Sequence, residues 1–136
     1  MNRSPPSLLE VLAPYEQLLE VGIGHRTNVA ATLAAADADV TALDVTERDV
    51  PAAVRFLIED VTDPDPERYD DVDAIYALRL PPDLQVPVAD LAKTLSVPLY
   101  FTTLGADPSV VPTEIRTIQE GALYVLSDRG GSGPDQ

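Results

Sequence analysis

The chain has 136 residues, of which 23 are acidic and 9 basic, giving a formal net charge of −14; it has no cysteine and one histidine. Those counts exclude a disulfide framework, a thiol nucleophile and the common zinc sites, and no metal site is expected. The negative excess argues against nucleic acid as a partner.

Read for period and punctuation, the chain alternates helical and extended segments, the pattern of a mostly parallel sheet covered on both faces. Ser4 to Leu12 predicts a short helix with Ser4 as N-cap, Pro5 at its first position and Pro14 closing it. Gln17 to Val21 reads as the first buried strand. After the Gly22-Ile23-Gly24 turn, Thr27 or Asn28 caps an alanine-rich helix running to about Ala36. Asp39 to Val45 is the second strand, and Arg55 to Ile58 a short third one beyond Pro51. The stretch Asp60 to Glu67 is too charged and proline-rich for more than a turn, with a single helical turn after Pro66. Val72 to Leu78 is strand four. Pro81 and Pro82 open a helix whose Leu84, Val88, Leu91 and Leu95 form an ordinary core stripe, with Pro87 tolerated near its first turns. Val97 to Thr102 is strand five, and Glu114 to Ile118 with Ala122 to Leu126 form a closing hairpin around Gly121. The expectation is one α/β domain over residues 1–127, a three-layer Rossmann-like sandwich with strand order 3-2-1-4-5 plus the hairpin. Residues 128–136 read as a disordered tail.

In such a sheet a ligand sits beyond the carboxyl ends of the strands, where strand order reverses. Gly22 and Gly24 end the first strand, where absent side chains let backbone amides approach a ligand. Asp44 ends the second, twenty-two positions beyond Gly22, near the spacing at which a carboxylate accepts hydrogen bonds from both ribose hydroxyls. Glu59-Asp60-Val61 ends the third, where a carboxylate and the next amide could meet an adenine edge. Each has a plainer reading: a ligand-free turn for the glycines, a helix cap or solvated loop carboxylate for Asp44, a turn residue for Asp60. His25 is either a general base or an exposed loop histidine, and Arg26 with Arg79 either an anion-binding pair or members of surface salt bridges.

Here the residues reach a family. Glu20-Val21-Gly22-Ile23-Gly24, Asp44 and Asp60-Val61-Thr62-Asp63 resemble, in that order, the first three motifs of class I S-adenosylmethionine-dependent methyltransferases, over about Leu18 to Leu104. With Tyr76-Ala77-Leu78-Arg79-Leu80-Pro81-Pro82 added, the chain is most similar to the small archaeal group catalogued as uncharacterised protein family 0146. The resemblance implies a Rossmann-like fold and S-adenosylmethionine as cofactor. Glu20 would brace the glycine loop near the cofactor's amino-acid end, Gly22, Ile23 and Gly24 would line it, Asp44 and Val45 would hold the ribose side, and Asp60 with Val61 the adenine. No catalytic residue carries over: the segment after strand four keeps the prolines of amino-methylating relatives but has neither their polar acceptor nor their aromatic ring. Arg26 stands where many methyltransferases have a third glycine.

Three functions follow as expectations: a small methyltransferase of unknown acceptor, a non-catalytic nucleoside-binding or sensor module, and, less favoured, an NAD-dependent oxidoreductase. The last is disfavoured because Asn28 stands where the dinucleotide fingerprint needs glycine or alanine. The charge balance, with Lys93 the only lysine, resembles that of halophilic archaeal proteins, whose self-repulsion is relieved by counter-ions. No segment approaches the roughly 20 apolar residues of a membrane span, and no apolar leader opens the chain, so a cytoplasmic location is expected.

Overall fold

The computed structural model describes residues 4–105 and 109–127; the expected tail at 128–136 lies outside them. The elements are α1 (Leu8–Leu12), β1 (Gln17–Val21), α2 (Asn28–Ala35), β2 (Asp39–Asp44), β3 (Arg55–Ile58), a 3₁₀ turn (Pro66–Tyr69), β4 (Ala74–Ala77), α3 (Pro82–Leu95), β5 (Leu99–Phe101), β6 (Glu114–Ile118) and β7 (Gly121–Leu126). The strands form one sheet in the order β3-β2-β1-β4-β5-β7-β6. Strands β1 to β5 pair in parallel, and the β6/β7 hairpin closes the sheet antiparallel against β5. This is the Rossmann-like sandwich that the alternation of segments implied, with the hairpin joined through its second strand.

Two apolar cores lie on opposite faces of the sheet. On one, Leu19, Val21, Leu43, Ile75, Leu99 and Phe101 pack against Val88, Leu91 and Ala92 of α3. On the other, Leu18, Val40, Ala42, Tyr76 and Tyr100 pack against Leu8 and Leu12 of α1 and Ala30 and Leu33 of α2. The period of two along each strand sends alternate side chains to the two cores, which is why the central strands read as continuous apolar runs. Strand β4 is buried throughout, whereas the edge strand β3 has no fully buried residue.

Several boundaries differ from expectation. The first helix begins at Leu8 with Ser7, not Ser4, as its cap, because only Ser7 has a glutamate three residues on. Ser7 Oγ accepts from the Glu10 amide at 3.1 Å and Glu10 Oε1 accepts from the Ser7 amide at 2.8 Å, a closed capping box. The segment before it is tied to the hairpin instead: the Pro6 carbonyl accepts from the Gln119 amide at 2.9 Å and Glu120 Oε1 from the Leu8 amide at 3.0 Å. Strands β2, β4 and β5 stop short of the apolar runs that predicted them. Their flanking residues, such as Val97 and Leu78, stay in the cores without pairing in the sheet. The expected core stripe holds, with Val88 and Leu91 fully buried and Leu84 and Leu95 packed against them. Among the described residues no helix is long and apolar enough to cross a membrane.

Candidate functional site

The carboxyl ends of β1, β2 and β4 meet where the chain switches from building the sheet leftward to building it rightward, between β1 and β4. The loop after β1 opens with Gly22 at φ 71° and Gly24 at φ 58°, the left-handed region in which a side chain is strained. The amides of Gly22 and Ile23 donate to the Leu43 carbonyl at 2.8 and 3.3 Å, pinning the loop to the end of β2. The Gly24 amide donates to Asp44 Oδ2 at 2.9 Å. The glycine turn and the strand-two carboxylate therefore converge directly.

Asp44 is almost fully buried, 8% exposed, and its remaining partners come from its own loop. Oδ1 accepts from the Thr46 amide at 3.3 Å, and Oδ2 accepts from Arg48 Nε at 3.3 Å. Arg48 Nη1 donates in turn to His25 Nε2 at 3.2 Å, so the lone pair a general base would use is engaged in this arrangement. Val45, next along, leaves the sheet and is 64% exposed, an apolar surface beside the carboxylate.

Glu20 lies on the floor of the cleft. On the α1/α2 face of β1, it pairs in register with Ala42 of β2 and Tyr76 of β4. It is 1% exposed, and the Tyr76 hydroxyl donates to its Oε1 at 2.7 Å. Burial pushes the Glu20 carboxyl up to about 8, against the smaller opposing effect of the Tyr76 hydrogen bond. Burial and the neighbouring Glu20 raise Tyr76 in turn. Glu20, the glycine loop, His25, Arg26, Leu78 and Arg79 enclose a cavity of about 260 Å³. It shares Arg26, Leu78 and Arg79 with a larger cavity of about 600 Å³ that extends over the ends of β5 and β7.

Arg79 adopts a left-handed backbone at φ 59°, a conformation costing about 1 kcal/mol for a residue with a side chain. Thr102 at the end of β5 holds it there: its Oγ1 accepts from the Arg79 amide at 2.9 Å and its carbonyl from the Leu80 amide at 2.8 Å.

The third motif stands apart from this cleft in its bonding. Asp60 is exposed, and its Oδ1 accepts from the Thr62 amide at 2.9 Å and the Thr62 hydroxyl at 2.7 Å. The Thr62 hydroxyl, and then its amide, hold the Asp60 carboxyl below its usual range. Val61 is buried in the α3-side core, leaving only its backbone for a ligand. Glu59 accepts from the Tyr69 hydroxyl and from the Asp65 amide at 2.9 Å, tying the 3₁₀ turn to β3. Sequence reasoning missed three supports of the site. Arg48 was detectable as a cation four residues after Asp44. Tyr76 and Thr102 were not, because their roles depend on register between strands far apart in sequence. Among the described residues no group of three or more histidines and carboxylates is placed to hold a metal ion.

A mostly parallel sheet of this order, with a glycine loop after its first strand, is a Rossmann-like fold, and it is the fold of solved methyltransferases. Solved structures agree. The N-terminal domain of EvdMO1, crystallised with S-adenosylhomocysteine bound, superposes with a TM-score of 0.56 at 16% identity over 89% of this chain, which spans 63% of that one, less than two thirds of its length. The antibiotic-resistance methyltransferase Kmr gives a TM-score of 0.56 at 14% identity, covering 81% of this chain and 84% of that one. Magnesium protoporphyrin IX methyltransferase from Synechocystis PCC 6803 gives 0.56 at 14% identity over 85% and 70% of the two chains. At these identities the likeness is one of fold.

The chain belongs to the Uncharacterised protein family (UPF0146), whose profile matches residues 3–129. A UPF0146 protein of Halobacterium salinarum is 49% identical over 125 residues, covering 91% of this chain and 97% of its own. One of Archaeoglobus fulgidus is 38% identical over 91 residues, 67% and 70% of the two chains. The family resemblance drawn from the motifs is thus borne out, and the similarity to a Halobacterium protein fits the salt-adapted composition.

Proposed function

We propose that this chain binds S-adenosylmethionine in the cleft between β1 and β4 and acts as a small methyltransferase. The observation that carries the reading is the hydrogen bond from the Gly24 amide to Asp44 Oδ2 at 2.9 Å, which brings the loop and the acidic strand end to one place. The chemistry of the donor set fits the cofactor. Asp44 is a nearly buried acceptor suited to adjacent ribose hydroxyls, Val45 offers an apolar face beside it, and Glu20 is a buried carboxyl that an ammonium group would draw toward its ionised form. The Asp60 and Val61 assignment extends the same reading to the adenine, with the Val61 backbone as the contact.

Bound there, the cofactor supplies a methyl group on a sulfonium, ready for direct displacement. The chain's own part is to fix the geometry and exclude water, and a general base is not essential where the acceptor atom already carries a free lone pair and its proton, if any, leaves to solvent after transfer. That suits a cleft in which His25 is engaged by Arg48. Titration calorimetry in molar KCl is expected to show binding of S-adenosylmethionine and S-adenosylhomocysteine, weakened at least about tenfold by Asp44→Ala, the scale of a lost charged hydrogen bond. Heat-free titrations with both ligands on folded wild-type protein reject the reading.

One observation favours a second reading, a nucleoside-binding module without catalysis. Leu78-Arg79-Leu80-Pro81-Pro82 places neither a polar acceptor nor an aromatic ring at the end of β4. Cofactor binding without transfer of labelled methyl to extracts of the source organism selects this second reading. Thermal stabilisation by NAD in preference to S-adenosylmethionine selects the oxidoreductase instead.

A further inference from the structure

Seven cationic side chains lie among the described residues, in a chain with a formal charge of −14. Three of them, Arg48, Arg68 and Arg116, form ion pairs with carboxylates. Among the described residues Arg26, Arg55, Arg79 and Lys93 do not, although carboxylates outnumber cations more than twofold, and of these four Arg26 and Arg79 line both of the cavities that meet above the glycine loop. Two like charges on one crevice, neither ion-paired with a carboxylate among the described residues, is an arrangement that self-repulsion opposes unless an anion completes it.

The surroundings support that reading. Glu120 also lines the larger cavity, but its Oε1 is occupied by the Leu8 amide at 3.0 Å. Arg79 is presented from a left-handed backbone fixed by Thr102, and strained residues held by their neighbours cluster at ligand sites. The rest of the crevice is amphipathic. Leu78 and Leu104 line it, with Leu104 56% exposed, and so does Tyr124, which is stacked on Phe101 with ring centroids 5.3 Å apart.

We propose that the crevice shared by Arg26 and Arg79 binds the anionic group of an amphipathic organic molecule, a carboxylate or phosphate ester with a planar apolar body. Its anion meets the two guanidiniums and its body lies toward Leu104 and Tyr124. As the anchor of a methyl acceptor this site rests on the cofactor reading above; as an anion site it rests on the crevice alone.

The test uses four probes on the full chain at fixed molar KCl, followed by ligand-observed NMR: benzoate, phenyl phosphate, neutral benzamide and inorganic phosphate. Benzoate or phenyl phosphate is expected to bind at least tenfold more tightly than benzamide, and the stronger of the two identifies the anion's chemistry. Arg79→Asn, which tolerates a left-handed backbone, is expected to abolish that preference. Arg79→Lys is expected to retain part of it. S-adenosylhomocysteine affinity should change less than twofold in either variant. Benzamide matching benzoate and phenyl phosphate, or inorganic phosphate matching phenyl phosphate, overturns the proposal. So does a parallel loss of S-adenosylhomocysteine binding in Arg79→Asn, which reassigns the guanidinium to the cofactor's own carboxylate. Benzoate binding by a wild-type protein that ignores S-adenosylhomocysteine supports the anion site and removes only the cofactor reading.

Discussion

Glu20 couples the stability of the fold to pH in a direction opposite to that of most carboxylates. Its folded-state value is about 8 against 4.5 for an unperturbed glutamate, burial being the main cause. Between those limits the folded chain keeps a proton that the unfolded chain releases, so unfolding is favoured as pH rises. The contribution is complete below about pH 4.5 and lost on the way to about pH 8, with a limiting slope near 1.4 kcal/mol per pH unit. Glu20→Gln keeps the neutral shape and the acceptor for the Tyr76 hydroxyl while removing the titration. Denaturant melts of the wild type from pH 6 to 8.5 are expected to show falling stability, and the same melts of Glu20→Gln a flatter profile. Parallel profiles for the two proteins would mean that Glu20 titrates normally. Asp44 differs in kind. Three of its roughly four acceptor positions are already used by Gly24, Thr46 and Arg48, so a ribose diol bound at both oxygens, as proposed above, would compete with Arg48.

At the level of elements, β1, β3 and β6 coincide with the runs that predicted them, and the remaining strands differ only at their ends. Period and punctuation carry that information because β-branched and apolar runs between glycines and prolines have few other ways to be buried. The convergence of Gly24 and Asp44 was legible for the same reason: the βαβ unit fixes both at strand ends on one side of the sheet. What the sequence did not disclose was which polar atoms satisfy one another. Asp60 meets its own Thr62 hydroxyl, and Tyr76 meets Glu20 across strands 56 residues apart; the first is a local turn bond that uses the same acceptor an adenine contact would need, and the second exists only in the sheet's register. The end of α3 offers a test of local backbone strain. Ser96 closes the helix in a left-handed conformation at φ 59° and donates its amide to the Ala92 and Lys93 carbonyls, a position that glycine occupies without strain. Ser96→Gly is expected to raise stability by about 0.5–1 kcal/mol in urea unfolding at high salt. A loss of stability would show that the Ser96 side chain outweighs the backbone gain.

For the whole molecule the strongest influence outside the two cores is a net charge of −14 on 136 residues. Screening shortens the reach of that repulsion from about 10 Å at 0.1 M salt to about 3 Å at 1 M. The melting temperature is therefore expected to climb by at least about 5 °C between 0.1 and 2 M KCl and to flatten beyond. A melting temperature indifferent to KCl would show that the acidic surface does not oppose compaction. Salt acts between molecules as well as within them. The sheet ends at β6, which pairs only with β7 among the described residues, and its outer backbone groups would accept another strand. Glu114 and Arg116, ion-paired at 3.5 Å on that border, put charge where a second copy would have to zip on. The ions that firm up the fold thus weaken the long-range standoff between copies, and along this fringe of the sheet protection against aggregation passes to one local pair of charges.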